Sequence, residues 1–161
     1  MKVCKFTTLV VAVLTLATLS APALAELRAT ILVGSQEVPS VSTDAIGLFL
    51  ADIGTDSIQL VQLIYLGLEG SVTAAHIHLG QRGVAGGVLI NICGETGTPT
   101  CPAPGTPLTG TLTASNVPGI TSQGVPARAI AEAIKAIRAG LTYVNIHSST
   151  SPLGEIRGAL E

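Results

Sequence analysis

Ala75-His76-Ile77-His78-Leu79-Gly80 is the stretch whose spacing decides the fold. A β-strand sends alternate side chains to opposite faces. On a strand, His76 and His78 share one face, and Ile77 and Leu79 take the other. Tyr143-Val144-Asn145-Ile146-His147 repeats the layout, with Tyr143, Asn145 and His147 opposite Val144 and Ile146. Glu155 and Arg157 flank Ile156 in the same manner. An α-helix would scatter these side chains around its axis, whereas a strand gives each segment an oily face and a face of specific polar groups.

Working outward, short alternating runs recur between clusters of Gly, Pro, Ser and Thr. Strands are expected at 27–33, 45–52, 57–66, 72–79, 87–93 and 108–113. Pro152-Leu153-Gly154 is turn chemistry, so 143–147 and 154–160 form a hairpin with 148–153 at its tip. One segment departs from period two. From 126 to 139, Ile130, Ile134 and Ile137 recur at helical intervals, with Pro126 suited to a helix start and Gly140 to its end. The fold class is therefore mainly β: an antiparallel, Greek-key-like β-sandwich or barrel with one short α-helix near the C-terminus.

The N-terminal residues carry an export pattern. Lys2 and Lys5 are followed by an apolar run and then Ala23-Leu24-Ala25, so 1–25 reads as a signal peptide cleaved after Ala25. The competing reading is an uncleaved anchor, for which the run is short. The remaining 26–161 amount to one domain, expected to be secreted or periplasmic. No later stretch is apolar enough to span a membrane. Net charge is −2 and falls further once the two lysines leave with the signal. That excludes the basic footprint that nucleic acid requires. Cys93 and Cys101, the pair left after the signal, flank a turn-rich stretch and are expected to form a disulfide in an oxidising compartment. Free thiols or a site shared with a histidine are the alternatives.

His76, His78 and His147 admit three readings. As a metal site they would offer three imidazoles to one copper or zinc ion. As a polar ladder they would hydrogen-bond across strands and fix the register; a surface for a partner is a third use of the same face. Glu155 and Arg157 are expected to meet each other or a cross-strand group such as Asn145. Hydrolase chemistry finds no support: there is no Gly-x-Ser-x-Gly elbow, and Ser148 next to His147 would point to the opposite face. The glycine-rich 80–87 joins two strands and opens no helix, so the physics of a phosphate loop is missing.

Taken together, 73–80, the turn and β-run after it, the helix leading into 139–147, Gly154-Glu155-Ile156-Arg157-Gly158, and Ser35-Gln36-Glu37-Val38-Pro39 near the start resemble the chordin-type (CHRD) domain. The resemblance covers 26–161 and implies an extracytoplasmic β-rich domain to which no catalytic activity is generally assigned. It also implies that His76, His78, Asn145, His147, Glu155 and Arg157 are signature positions. The growth-factor binding of chordin itself resides in cysteine-rich repeats that this sequence lacks. The expectation is a non-catalytic binding or structural module acting on an unidentified protein or envelope ligand, with no cofactor; the alternative is a mononuclear copper or zinc protein built on the three histidines.

Overall fold

The structure, a computed structural model, describes residues 26–161. The expected signal peptide, 1–25, lies outside the described residues. Strands form where the sequence alternates: β1 (Leu27–Val33), β2 (Ile46–Ile53), β3 (Ile58–Leu66), β4 (Val72–Leu79), β5 (Gly87–Cys93), β6 (Leu108–Leu112), β7 (Thr142–Ser148) and β8 (Ile156–Leu160). They build one eight-stranded sheet in the order β5-β4-β7-β8-β1-β2-β3-β6, and every pairing is antiparallel. The pairings of β1 with β8, β4 with β7 and β3 with β6 join strands far apart in the chain, which gives the Greek-key character. The sheet curls into a barrel that nearly closes. A 3-10 turn, Ala114–Asn116, follows β6, and its Asn116 Nδ2 donates to the Asn91 carbonyl on β5 at 3.0 Å, drawing the two edge strands together.

The barrel interior is apolar. Phe49, Leu63, Ile77, Leu89, Val144 and Ile156 are fully buried in one cluster. In β3 the buried set changes parity, from Ile58 and Leu60 to Leu63 and Tyr65. A register shift against β2 accommodates this: Ala51 pairs with Leu60 but Leu50 with Gln62, leaving Val61 as a bulge. The nearly continuous apolar spelling of 58–64 is thus a bulged strand rather than one buried on both faces. Tyr65 completes the lining and donates its hydroxyl to the Pro102 carbonyl.

The helix is shorter than its periodicity suggests. It spans Ile130–Arg138, not 126–139. Arg128 adopts a left-handed φ of 66°, and its N–H bonds the Val117 carbonyl at 2.9 Å. Those bonds fix 126–129 as a turn, so the helix starts after them. Ala133, Ile134 and Ile137 are buried in the core. Arg138 ties the helix end to the sheet through Glu26 (2.7 Å) and the Gly54 carbonyl (3.0 Å). The helix accordingly covers the barrel opening beside the β2–β3 turn. Cys93 and Cys101 form a disulfide with Cα atoms 5.0 Å apart. No helix among the described residues is long and apolar enough to cross a membrane.

Candidate metal centre and adjoining polar cleft

Strand register assembles the site. His76 lies opposite Asn145 and His78 opposite Tyr143; on the far side of β7, Asn145 lies opposite Arg157. Residues two apart on a strand share a face, so His76, His78, Tyr143, Asn145, His147 and Arg157 form one patch turned away from the apolar core. The patch is largely shielded from water. The three histidines are 6–9% exposed and Arg157 is 3% exposed. β7 is buried along its whole length. Loops supply the cover, and each contributes an oxygen to the patch.

Those oxygens define the state of the imidazoles. His78 Nδ1 is 3.0 Å from the Gly86 carbonyl, and His147 Nδ1 is 3.1 Å from the Pro152 carbonyl. A carbonyl only accepts, so these nitrogens carry the hydrogens and each neutral ring leaves Nε2 bare. His76 Nε2 is 3.3 Å from Glu95 Oε1. An ionised carboxylate also only accepts, which puts the His76 hydrogen on Nε2 and bares Nδ1. The bare nitrogens converge. His76 Nδ1 and His147 Nε2 stand 3.1 Å apart, and His78 Nε2 is buried with no hydrogen-bond partner. One nitrogen from each ring lies within 4.8 Å of the other two.

Burial holds the rings neutral. It lowers His76 to about 4, aided by the charge of His147. His78 also falls to about 4, chiefly by burial, against the bond to Gly86 and with help from His76, His147 and Arg157. His147 is lowered by burial, although the Pro152 carbonyl and Glu95 oppose it. A ladder of neutral imidazoles can move one hydrogen onto His76 Nδ1 and bond His147. That arrangement sets the His76 Nε2 lone pair against the Glu95 carboxylate, and it leaves His78 Nε2 orphaned.

A second feature adjoins the histidines. Arg157 places its guanidinium carbon 3.8 Å from the Tyr143 ring centroid, and Tyr143 stacks on His78 at 4.9 Å with the rings 7° from parallel. Arg157 Nη2 donates to the Val84 carbonyl at 3.1 Å. The 3-10 turn Gly34–Gln36 delivers Glu37 over Asn145. Glu37 is buried, and desolvation raises it to about 7 despite the Arg157 charge, the Val38 amide and Asn145. A cleft of about 310 Å³ opens here, lined by Glu37, Arg82, Tyr143 and Arg157 among others.

Of the residues singled out in the sequence, His76, His78, His147, Asn145 and Arg157 come together. Glu155 does not. It precedes β8 rather than alternating with Arg157 on it, and it forms no ion pair with Arg157. Its Oε1 accepts from Thr43 Oγ1 at 2.9 Å and from the Glu69 amide at 2.8 Å, so it clasps two loops. Sequence reading missed Glu37, Glu95, Arg82 and the role of Tyr143. The shared face with Asn145 pointed to Tyr143; the other three arrive on loops whose destination no local pattern encodes.

A family model for the CHRD domain matches residues 28–160. No curated protein and no solved structure matches the chain.

Proposed function

The chain belongs to the CHRD domain family, and from that premise we propose a non-catalytic, extracytoplasmic barrel module that holds one copper or zinc ion on His76, His78 and His147. The carrying observation is the hydrogen count. Every imidazole has an oxygen outside it, and each keeps one bare nitrogen, two of them 3.1 Å apart and the third buried without a partner. One cation takes all three lone pairs and leaves every outer bond in place. Outer acceptors of this kind fix the tautomer and orientation of metal-binding histidines. A tetrahedral zinc with nitrogens at 2.0–2.1 Å sets them about 3.3 Å apart. The 3.1 Å pair is already near that spacing, and one nitrogen of each ring lies within 4.8 Å of the other two. Burial of all three ligands favours a structural, ligand-holding role over turnover. The disulfide and the N-terminal export pattern support a place outside the cytoplasm.

Untagged protein from an oxidising compartment, analysed by mass spectrometry for metals, should carry one equivalent of copper or zinc after incubation with either. His78→Ala should lose it. Folded protein, checked by circular dichroism, that takes up neither ion would end the metal reading.

A further inference from the structure

We propose that the cleft beside the histidines binds a small zwitterion of the α-amino acid class, its carboxylate on Arg157 and its ammonium on Glu37. The inference does not depend on the metal: it stands on a different set of side chains.

The cleft holds two buried groups of opposite charge that do not satisfy one another. Arg157 is 3% exposed and makes a single hydrogen bond, to Val84. A guanidinium has five N–H donors in a fixed plane. Stacking on Tyr143 and the bond to Val84 pin that plane, which pre-orients the remaining donors for the two oxygens of a carboxylate. Glu37 is 6% exposed, its Oε1 lying against the Asn145 amide and Gly154, and no cation among the described residues pairs with it. Both line one cavity, and no salt bridge joins them. Burying a charge without a counter-ion is unfavourable, so two such groups lining one cleft mark a place that a third party can complete.

The charge balance of the rim selects its chemistry. Arg82 is engaged with Glu161 at 3.2 Å and with Gln36 at 3.4 Å, and both partners in that ion pair are well exposed. The rim therefore adds no net charge. A simple anion on Arg157 would face the Glu37 carboxylate, and a simple cation on Glu37 would face Arg157. A molecule carrying both charges satisfies both groups. At about 310 Å³ the cavity sits at the small end of ligand pockets, which fits an amino acid rather than a longer peptide. The raised affinity of Glu37 for protons agrees with a carboxyl group waiting for a partner; an ammonium beside it would hold it ionised.

The test is a heteronuclear NMR titration of the full chain with L-alanine, acetate and methylammonium, each to about 50 mM and at one salt concentration. L-alanine should move the Tyr143, Glu37 and Arg157 signals saturably with a Kd on the order of 1 mM, and the other two should bind at least tenfold more weakly. Glu37→Gln should weaken L-alanine about tenfold, and Arg157→Lys, which keeps the charge but loses the fork, should do at least as much. Unchanged dispersion elsewhere in the spectrum certifies the fold of each variant. Acetate binding as well as L-alanine, or no saturable shift from any of the three, would overturn the proposal. Repeating the titration with zinc present should leave the L-alanine shifts in place, so this result and the metal analysis fail separately.

Discussion

At the scale of single residues, the patch is held by absences of side chain as much as by side chains. Gly154 has φ 127°, and a Cβ there would lie 2.5 Å from the Asn145 amide atoms and 2.7 Å from Glu37 Oε1. Both neighbours are packed between strand and loop and have nowhere to retreat. Gly154→Ala should therefore cost about 2–3 kcal/mol, from backbone strain plus the displaced polar pair. Gly83→Ala supplies the contrast. Its φ of 78° is also left-handed, but a Cβ there would meet nothing within 4 Å, so only the conformational cost of about 1 kcal/mol remains. Urea denaturation of the two variants measures the difference; equal losses would show that crowding at Asn145 and Glu37 is not what Gly154 avoids. Gly158 serves the same end on β8, where a Cβ would sit 2.4 Å from the Ile31 carbonyl.

At the scale of elements, the disulfide loop works on two levels. Cys93 ends β5 and Cys101 returns to it, while Gly94 bonds Pro99 at 2.9 Å and Glu95 is braced by Thr98 at 3.0 Å. Replacing both cysteines with serine should lower stability by about 2–3 kcal/mol on the loop-entropy model. It should also loosen Glu95 from His76 and weaken metal binding about tenfold, the scale of losing an outer partner. Calorimetric zinc titrations of the variant and of Glu95→Gln test the second effect, and unchanged affinity in both would remove Glu95 from the site. The elements themselves were largely legible. Alternation gave every strand to within two residues, because a strand with one apolar face spells its own register. The bulge at Val61 and the late start of the helix at Ile130 were not legible. Both are set by long-range pairing, with β2 in one case and with Val117 in the other. The polar face was read correctly as a face, yet its burial was hidden. Whether Glu37 and Glu95 fold over it depends on loop paths that carry no periodicity.

At the scale of the whole molecule, the buried titratable groups give the metal-free protein a stability profile with opposing slopes. His76 and His78 fall from an ordinary 6.5 to about 4, and His147 is lowered too. Between about 4 and 6.5 the unfolded chain therefore binds protons that the folded chain refuses. Stability contributed by these groups is full above 6.5 and drains as pH falls toward 4. Glu37 acts in the other direction. Raised from 4.5 to about 7, it keeps a proton in the folded state that the unfolded chain has released, so its contribution is full below 4.5 and is lost as pH rises through 7. Three bases outweigh one acid. Stability in the presence of a chelator should rise from pH 4 to about 6.5, at about 1.4 kcal/mol per pH unit for each net proton, and then dip slightly to just above 7. Glu37→Gln should remove the dip and steepen the acid limb. Saturating zinc should raise the curve near pH 7, by about 2.7 kcal/mol at one hundred times its Kd, and nearly as much at pH 5, because folded His76 and His78 stay neutral down to about 4; only below that do protons compete for the same nitrogens. Denaturation midpoints measured across pH 3–8, with chelator and with zinc, check both claims. A zinc increment as large at pH 3 as at 7 would mean that the ion sits somewhere other than on the imidazoles.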